Sequence, residues 1–225
     1  GEIEVIIKKE YFHDKDLNFI SEIPEESSIK IIGKMEKTKD KLQIIAKKVE
    51  LIGLAELIIS PHPRKDFKIF DKKYADHILN YKHLYLRNRK IMVIMRLKRI
   101  LIQSFREWLD ERGFLEIDTP IITQATLYND NETFKIDYFG TPCYLSQCAG
   151  LYLDAALHAF EKVYTVTPAF RAEPSKSKRH NSEFWHIKTQ LAFANLEEMI
   201  NLVSQMIYEV TRKFNSKGKK YLKEL

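Results

Sequence analysis

The stretch Val163–Phe193, VYTVTPAFRAEPSKSKRHNSEFWHIKTQLAF, decides the fold. Val163, Thr165 and Thr167 alternate with bulkier neighbours, and Phe184, His186, Lys188 and Gln190 alternate with Trp185, Ile187, Thr189 and Leu191. Period-two alternation marks a strand, because successive side chains leave opposite faces. Between the strands lies RAEPSKSKRHNSE, a polar, cationic loop broken by Pro174. The prediction is a hairpin carrying Arg171, Lys176, Lys178, Arg179 and His180 at its turn. Such a turn suits a polyphosphate, since an arginine fork binds phosphate oxygens bidentately and a lysine adds a point charge. On charge alone, a solvated basic turn is an equal reading.

Outward from the hairpin, composition sets broad limits. The 225 residues allow one large domain, or a small one and a larger one. With 44% hydrophobic and 30% charged residues, the chain can build a core and belongs to the soluble globular class. A net charge of +6 and a pI near 9.1 favour an anionic partner weakly. The two cysteines, Cys143 and Cys148, have no second pair to complete a zinc site, so they read as reduced core thiols. No metal site is expected. The N-terminus has no apolar signal region and no apolar run reaches membrane-spanning length, so the cytoplasm is the expected location.

Along the chain, residues 1–52 read as short strands: Ile3, Val5 and Ile7, then Ile29 and Ile31 after the turn PEESS, then Leu42 and Ile44 leading to Leu51. They suggest part of a small barrel with too few strands to close. Residues 53–87, with Pro61 and Pro63, read as a linker. Asn88–Arg112 reads as a long amphipathic helix ending at Gly113, with a strand GFLEIDTP after it. Residues 121–133 read as a polar loop, Phe134–Phe139 and Cys143–Ser146 as strands, and Leu151–Phe160 as a short buried helix. Leu196–Phe214 reads as a final helix, and the tail NSKGKKYLKEL as loose. Residues 88–225 form one domain with an α+β order, not a parallel βαβ alternation. Neither GxxxxGK[ST] nor GxGxxG occurs, so ATP, if bound, does not meet a Gly-rich loop.

These segments carry a pattern. GFLEIDTPIIT (Gly113–Thr123), FKIDYFGTPCYLSQCAGLYLDAAL (Phe134–Leu157) and FRAEPSKSKRHNSEF (Phe170–Phe184) resemble motif 1, the amino-acid pocket segment and motif 2 of class II aminoacyl-tRNA synthetases. The likeness is to the asparaginyl/aspartyl branch, and most to the archaeal and eukaryotic asparaginyl type. The early strands and ELIGLAE (Glu50–Glu56) resemble the end of that family's anticodon-binding OB-fold. The resemblance implies an antiparallel sheet flanked by helices, incomplete here, preceded by part of a β-barrel. It also implies activation of asparagine by ATP and transfer to tRNA, with Mg²⁺ bridging phosphates and rate supplied by positioning and cationic stabilisation. By motif, Arg171 would hold the α-phosphate and the attacking carboxylate. Glu173 would help place adenine or the tRNA end, Arg179 and His180 would reach the outer phosphates, and Phe184 would stack on adenine. Ser146, Gln147, Gly150, Asp154, Lys188, Gln190 and Tyr128 would fall in the amino-acid pocket. The long helix and Pro120 would form a homodimer interface, and tRNA would be a partner.

The sequence departs from the family in two ways. Motif 3 and the first OB strands are not present, so the expectation is a fragment or a shortened relative, weakly active alone. The family also holds the substrate ammonium with a glutamine, a glutamate and an acidic residue, where this chain has Gly150, Tyr128 and Lys188. Gln190 stands where a glutamate is usual. Two cations about 4 Å apart repel by about 4 kcal/mol at an effective dielectric near 20, roughly a thousandfold in affinity. Lys188 could instead pair with Asp154 or Asp137, or bind an anionic group of another substrate. Three readings follow: a piece of an asparaginyl-tRNA synthetase, a non-catalytic relative acting as a binding or regulatory module, and an ATP-dependent ligase for a different acid.

Overall fold

A computed structural model of the chain describes residues 3–38, 41–55, 68–126, 132–174 and 180–225. The chain divides into two compact units, Gly1–Tyr85 and Leu86–Leu225. The first holds β1 (Glu4–Ile6), α1 (Asp14–Glu22), β2 (Ser28–Lys37), β3 (Leu42–Gly53), α2 (Ala75–Asn80) and α3 (Lys82–Tyr85). Its sheet is open, in the order β1-β3-β2, with β1 parallel and β2 antiparallel to β3. Ile45 and Ala46 on β3 are buried.

Two expectations for this part change. Residues 1–52 are not all strand and turn. Asp14–Glu22 is helical, with Asp14 and Asp16 in its first turn, where carboxylates oppose the positive helix end. Its sparse apolar spacing, Leu17 and Ile20, is too short to stand out in the sequence. The second half of the segment read as linker forms α2 and α3, while Pro61 and Pro63 lie outside the described residues. The close approach of β2 to β3 depends on Gly33, which sits at a register shift. A Cβ added there would stand 2.1 Å from the Ile45 carbonyl oxygen.

The second unit is built on α4 (Arg89–Asp110), capped by the Asn88 side chain, which accepts from Lys90 N at 3.0 Å. Gly113, at φ +77°, ends it, and Phe114 N donates back to Leu109 O at 3.1 Å, turning the Phe114 side chain into the core. β4 is only Leu115–Glu116. β5 (Ile122–Thr123), β6 (Lys135–Tyr138) and β7 (Thr141–Leu145) form an antiparallel sheet, so the segment read as a polar loop contributes a strand. α5 (Gly150–Phe160) leads to the hairpin of β8 (Lys162–Phe170) and β9 (Glu183–Leu191), and α6 (Leu196–Leu222) follows. An Asn195/Glu198 capping box starts α6.

The sheet order is β4-β8-β9, and β4 runs parallel to β8, against the expectation of antiparallel strands throughout. One face packs on α4 and α6: Trp108, Leu109, Phe114, Tyr164 and Val210 are buried together, against Val166, Ile187 and Leu191. On the other face Val163 meets Ala149 and Leu153 of the α5 region.

The charged tail is not loose. α6 continues to Leu222 and lies antiparallel to α4. Lys217 pairs with Glu107, Lys213 with Glu111 at 2.8 Å, and Arg89 with Glu224 at 3.3 Å. Gly218 is buried, where a Cβ would come within 3.0 Å of Leu97. A run of lysines reads as solvated when the opposing carboxylates, more than a hundred positions earlier in the chain, are out of view. At the heart of this seam, Trp108 is fully buried, donates from Nε1 to Glu209 at 2.9 Å, and lies under the Arg112 guanidinium.

Gly33→Ala is expected to destabilise the chain by about 1–3 kcal/mol, because the clash is with backbone and cannot be relieved by a rotamer. Trp108→Ala is expected to cost about 3–5 kcal/mol. Urea denaturation followed by circular dichroism measures both.

Candidate functional site

The register of β8 and β9 builds the site. Phe184 lies opposite Ala169, His186 opposite Thr167, Lys188 opposite Thr165, and Gln190 opposite Val163. Side chains directly opposite each other share a face, so these eight stand together on the side away from α4 and α6. Thr165 and Thr167 are buried there.

The β7–α5 connection forms one wall. Ser146 O accepts from Phe170 N at 3.0 Å, which ties this wall to the end of β8. The Ser146 hydroxyl donates to Cys148 O at 2.9 Å. Ser146, Gln147, Cys148 and Gly150 are all buried. Cys148 Sγ accepts from Gly150 N at 3.3 Å and from Lys188 Nζ at 3.2 Å.

Arg171 stands at the mouth. Its backbone N donates to Ser182 O at 2.9 Å, closing the hairpin below the loop. Its guanidinium is bracketed by Glu132 at 3.5 Å and Glu173 at 3.8 Å, with about half of the side chain exposed. Glu132 O also accepts from Ala172 N at 2.8 Å, so the same residue anchors both backbone and side chain. Two flanking carboxylates hold the fork in place without burying it, which leaves N–H donors for an incoming anion. His180 is exposed on the returning side of the loop.

Along β9 the Phe184 and His186 rings meet edge to face at 4.8 Å. Burial, helped by the neighbouring Lys188 charge, holds the His186 imidazole below the ordinary histidine range. Its Nδ1 is buried and has no hydrogen-bond partner. Gln190 Nε2 donates to Asp154 at 2.5 Å, while Gln190 Oε1 is buried without a partner.

The structure thus brings Lys188 to the Ser146–Gly150 wall and Gln190 to Asp154, and sets Arg171 beside Glu173. It does not bring Lys188 to Asp154 or to Asp137, whose Oδ1 accepts from Gly140 N at 2.8 Å instead. Pro120 is exposed between β4 and β5, and the next residue, Ile121, accepts from Ser146 N at 2.8 Å. Arg179, Lys176, Lys178 and Tyr128 lie outside the described residues. Sequence reasoning missed Cys148, His186, Thr165, Thr167 and Glu132 as site residues. The two threonines and His186 carried a signal in their alternation, which places them on the face of Lys188. Cys148 carried none, and Glu132 sat in a loop with no periodicity.

Residues 75–224 match the family of class II tRNA synthetases (D, K and N). The asparagine–tRNA ligase of Pyrococcus abyssi is 32% identical over 224 residues, which are 95% of this chain and 50% of that protein. That of Thermococcus kodakarensis is 38% identical over 156 residues, 66% of this chain and 36% of that protein. Among solved structures, asparaginyl-tRNA synthetase from Pyrococcus horikoshii complexed with asparaginyl-adenylate superposes with a TM-score of 0.88 at 28% identity, covering 100% of this chain and 51% of that one. The Entamoeba histolytica asparaginyl-tRNA synthetase shares the fold, with a TM-score of 0.79 at 22% identity over 96% of this chain and 49% of that one. The chain spans about half the length of the curated relatives it matches. The α+β architecture is that of an asparaginyl-tRNA synthetase, and the chain belongs to the class II tRNA synthetases of the D, K and N group.

Proposed function

We propose that this chain carries the nucleotide-binding face of an asparaginyl-tRNA synthetase-like ligase, with ATP on the open side of β8 and β9. The observation that carries this reading is Arg171, fixed at the mouth by Glu132 and Glu173 and leading along one strand face to the Phe184 and His186 rings. An adenine ring can lie against Phe184, and the Arg171 fork can reach an α-phosphate. A carboxylate oxygen of the acid then attacks the α-phosphorus. The bond to the bridging oxygen breaks, pyrophosphate leaves, and an acyl-adenylate remains for transfer to tRNA. Arg171 acts by stabilising charge on the phosphoryl oxygens, not by covalent chemistry. Glu173 positions Arg171, His180 and Arg179 are assigned to the outer phosphates, and Mg²⁺ bound with ATP would supply further positive charge to the phosphates. Among the described residues no helix is long and apolar enough to cross a membrane. We place the protein in the cytoplasm, with tRNA as its partner.

A homodimer is the second part of the proposal. The outer side of α4 exposes Ile94, Met95 and Leu101, and the turn around Pro120 exposes Leu115, Ile121 and Ile122. Exposed apolar side chains gathered on one helix and the adjoining turn favour a self-complementary contact. A different acid substrate is favoured by one specific observation, the position of Lys188, taken up below.

ATP with Mg²⁺ is expected to bind the chain in calorimetry. Arg171→Ala should weaken that binding about 10- to 100-fold, the range set by loss of charge-assisted hydrogen bonds. Absence of ATP binding by the unaltered chain would defeat the nucleotide reading. Light scattering should give a dimer, and Met95→Asp with Leu101→Asp should give a monomer that keeps its helical circular dichroism. A monomer for the unaltered chain would remove the dimer from the proposal.

A further inference from the structure

We infer that the acid end of this site takes a carboxylic acid lacking an α-ammonium group, with a carboxylate of the ligand against Lys188 Nζ. The inference rests on the reading of the β8–β9 face as an acid-activating site, and it names the substrate class of that site.

The partners of Lys188 carry the inference. The sequence offers it two carboxylates, and both are engaged elsewhere: Asp154 by Gln190 at 2.5 Å and Asp137 by Gly140 N at 2.8 Å. Lys188 Nζ donates to Cys148 Sγ at 3.2 Å. Among the described residues, no carboxylate stands within ion-pair distance of it. An ammonium has three N–H donors and no acceptor, and sulfur is a weak acceptor. A half-buried cation with one weak partner is a site waiting for an anion, because a buried charge is stable only when paired.

Its surroundings agree. Thr165, opposite Lys188, is buried, and so is Thr167 beside it. His186, two positions along the same face, has a buried Nδ1 with no partner, and burial, with the Lys188 charge, holds its imidazole below the ordinary histidine range. Gly150 supplies no side chain, and its N–H is spent on Cys148. The part of the face around Lys188 therefore offers one positive charge, hydroxyls and an imidazole that burial keeps from charging, while the acceptors, Gln190 Oε1 and Asp154, stand two positions further along. An α-ammonium would meet a like charge there, and a carboxylate would meet the opposite one.

Succinate and aspartate test this cleanly, since aspartate is succinate with an ammonium in place of one hydrogen. Calorimetry of the 225-residue chain, with ATP and Mg²⁺ titrated separately, should show succinate binding at least tenfold more tightly than aspartate or asparagine. Lys188→Met should lose at least tenfold in succinate affinity, and Lys188→Arg should keep most of it. The thermal melt should be unchanged in both variants, which shows that the fold is intact. Gly150→Gln with Lys188→Glu should reverse the order and favour asparagine. Aspartate or asparagine binding as tightly as succinate would overturn the inference, and so would succinate binding that survives Lys188→Met or fails in the unaltered chain. Loss of ATP binding with the acid order preserved would strike the nucleotide reading and leave this one standing.

Discussion

The pairing of β8 with β9 is the constraint on which the second unit depends. Nine consecutive residue pairs join Lys162–Phe170 to Glu183–Leu191. Because side chains alternate, a slip of one residue would exchange the two faces of a strand. If β9 slipped, Ile187 and Leu191 would leave the Trp108 cluster, and Lys188 and His186 would enter it. The apolar half of the hairpin therefore sets the register, and the polar half inherits its position. The core behind the site sets which strand face it occupies, and contacts such as Arg171 with Glu132 and Gln190 with Asp154 then fix individual side chains.

That core is held from outside by the α4–α6 pair. Exposed ion pairs such as Lys213–Glu111 contribute at most about 1 kcal/mol each. The apolar seam around Trp108 and Val210 carries the packing, and the ion pairs settle how far α6 slides along α4. Tyr164 links this seam to the sheet: its hydroxyl donates to Asp110 at 2.9 Å and approaches Glu116 at 3.2 Å, and Arg106 grips Glu116 with two nitrogens. Burial and those two carboxylates push the Tyr164 phenol well above its ordinary range, so it stays a donor at any physiological pH.

Much of this architecture could be read from spacing. The hairpin, the long helix and β6–β7 follow from periodicity, and the site face follows from alternation once a hairpin is assumed. What escaped was non-local. α1 has too few apolar positions to declare itself, β5 is two residues and exists only through its partner, and the tail after Phe214 is helical because α4 lies beside it. The same limit applies in the site. Gly150 and Lys188 could be singled out by resemblance, but the choice of partner for Lys188 depends on which of several nearby acceptors the fold leaves unused.

The charges around Lys188 argue that its position is not a passive replacement. A lysine taken up only to fill space would be expected to pair with the nearest carboxylate, because the pair would then be neutral and stable. Here a neutral residue, Gln190, engages Asp154, the exposed acid on α5, and leaves the cation with a thiol. The arrangement keeps opposite charges apart, with Asp154 exposed on α5 and Lys188 half-buried on β9 beside Thr165. Keeping them apart costs stability that pairing would recover. A ligand carboxylate supplies the missing charge without rearranging Gln190, and a zwitterionic amino acid brings an ammonium to the one place on this face already occupied by another.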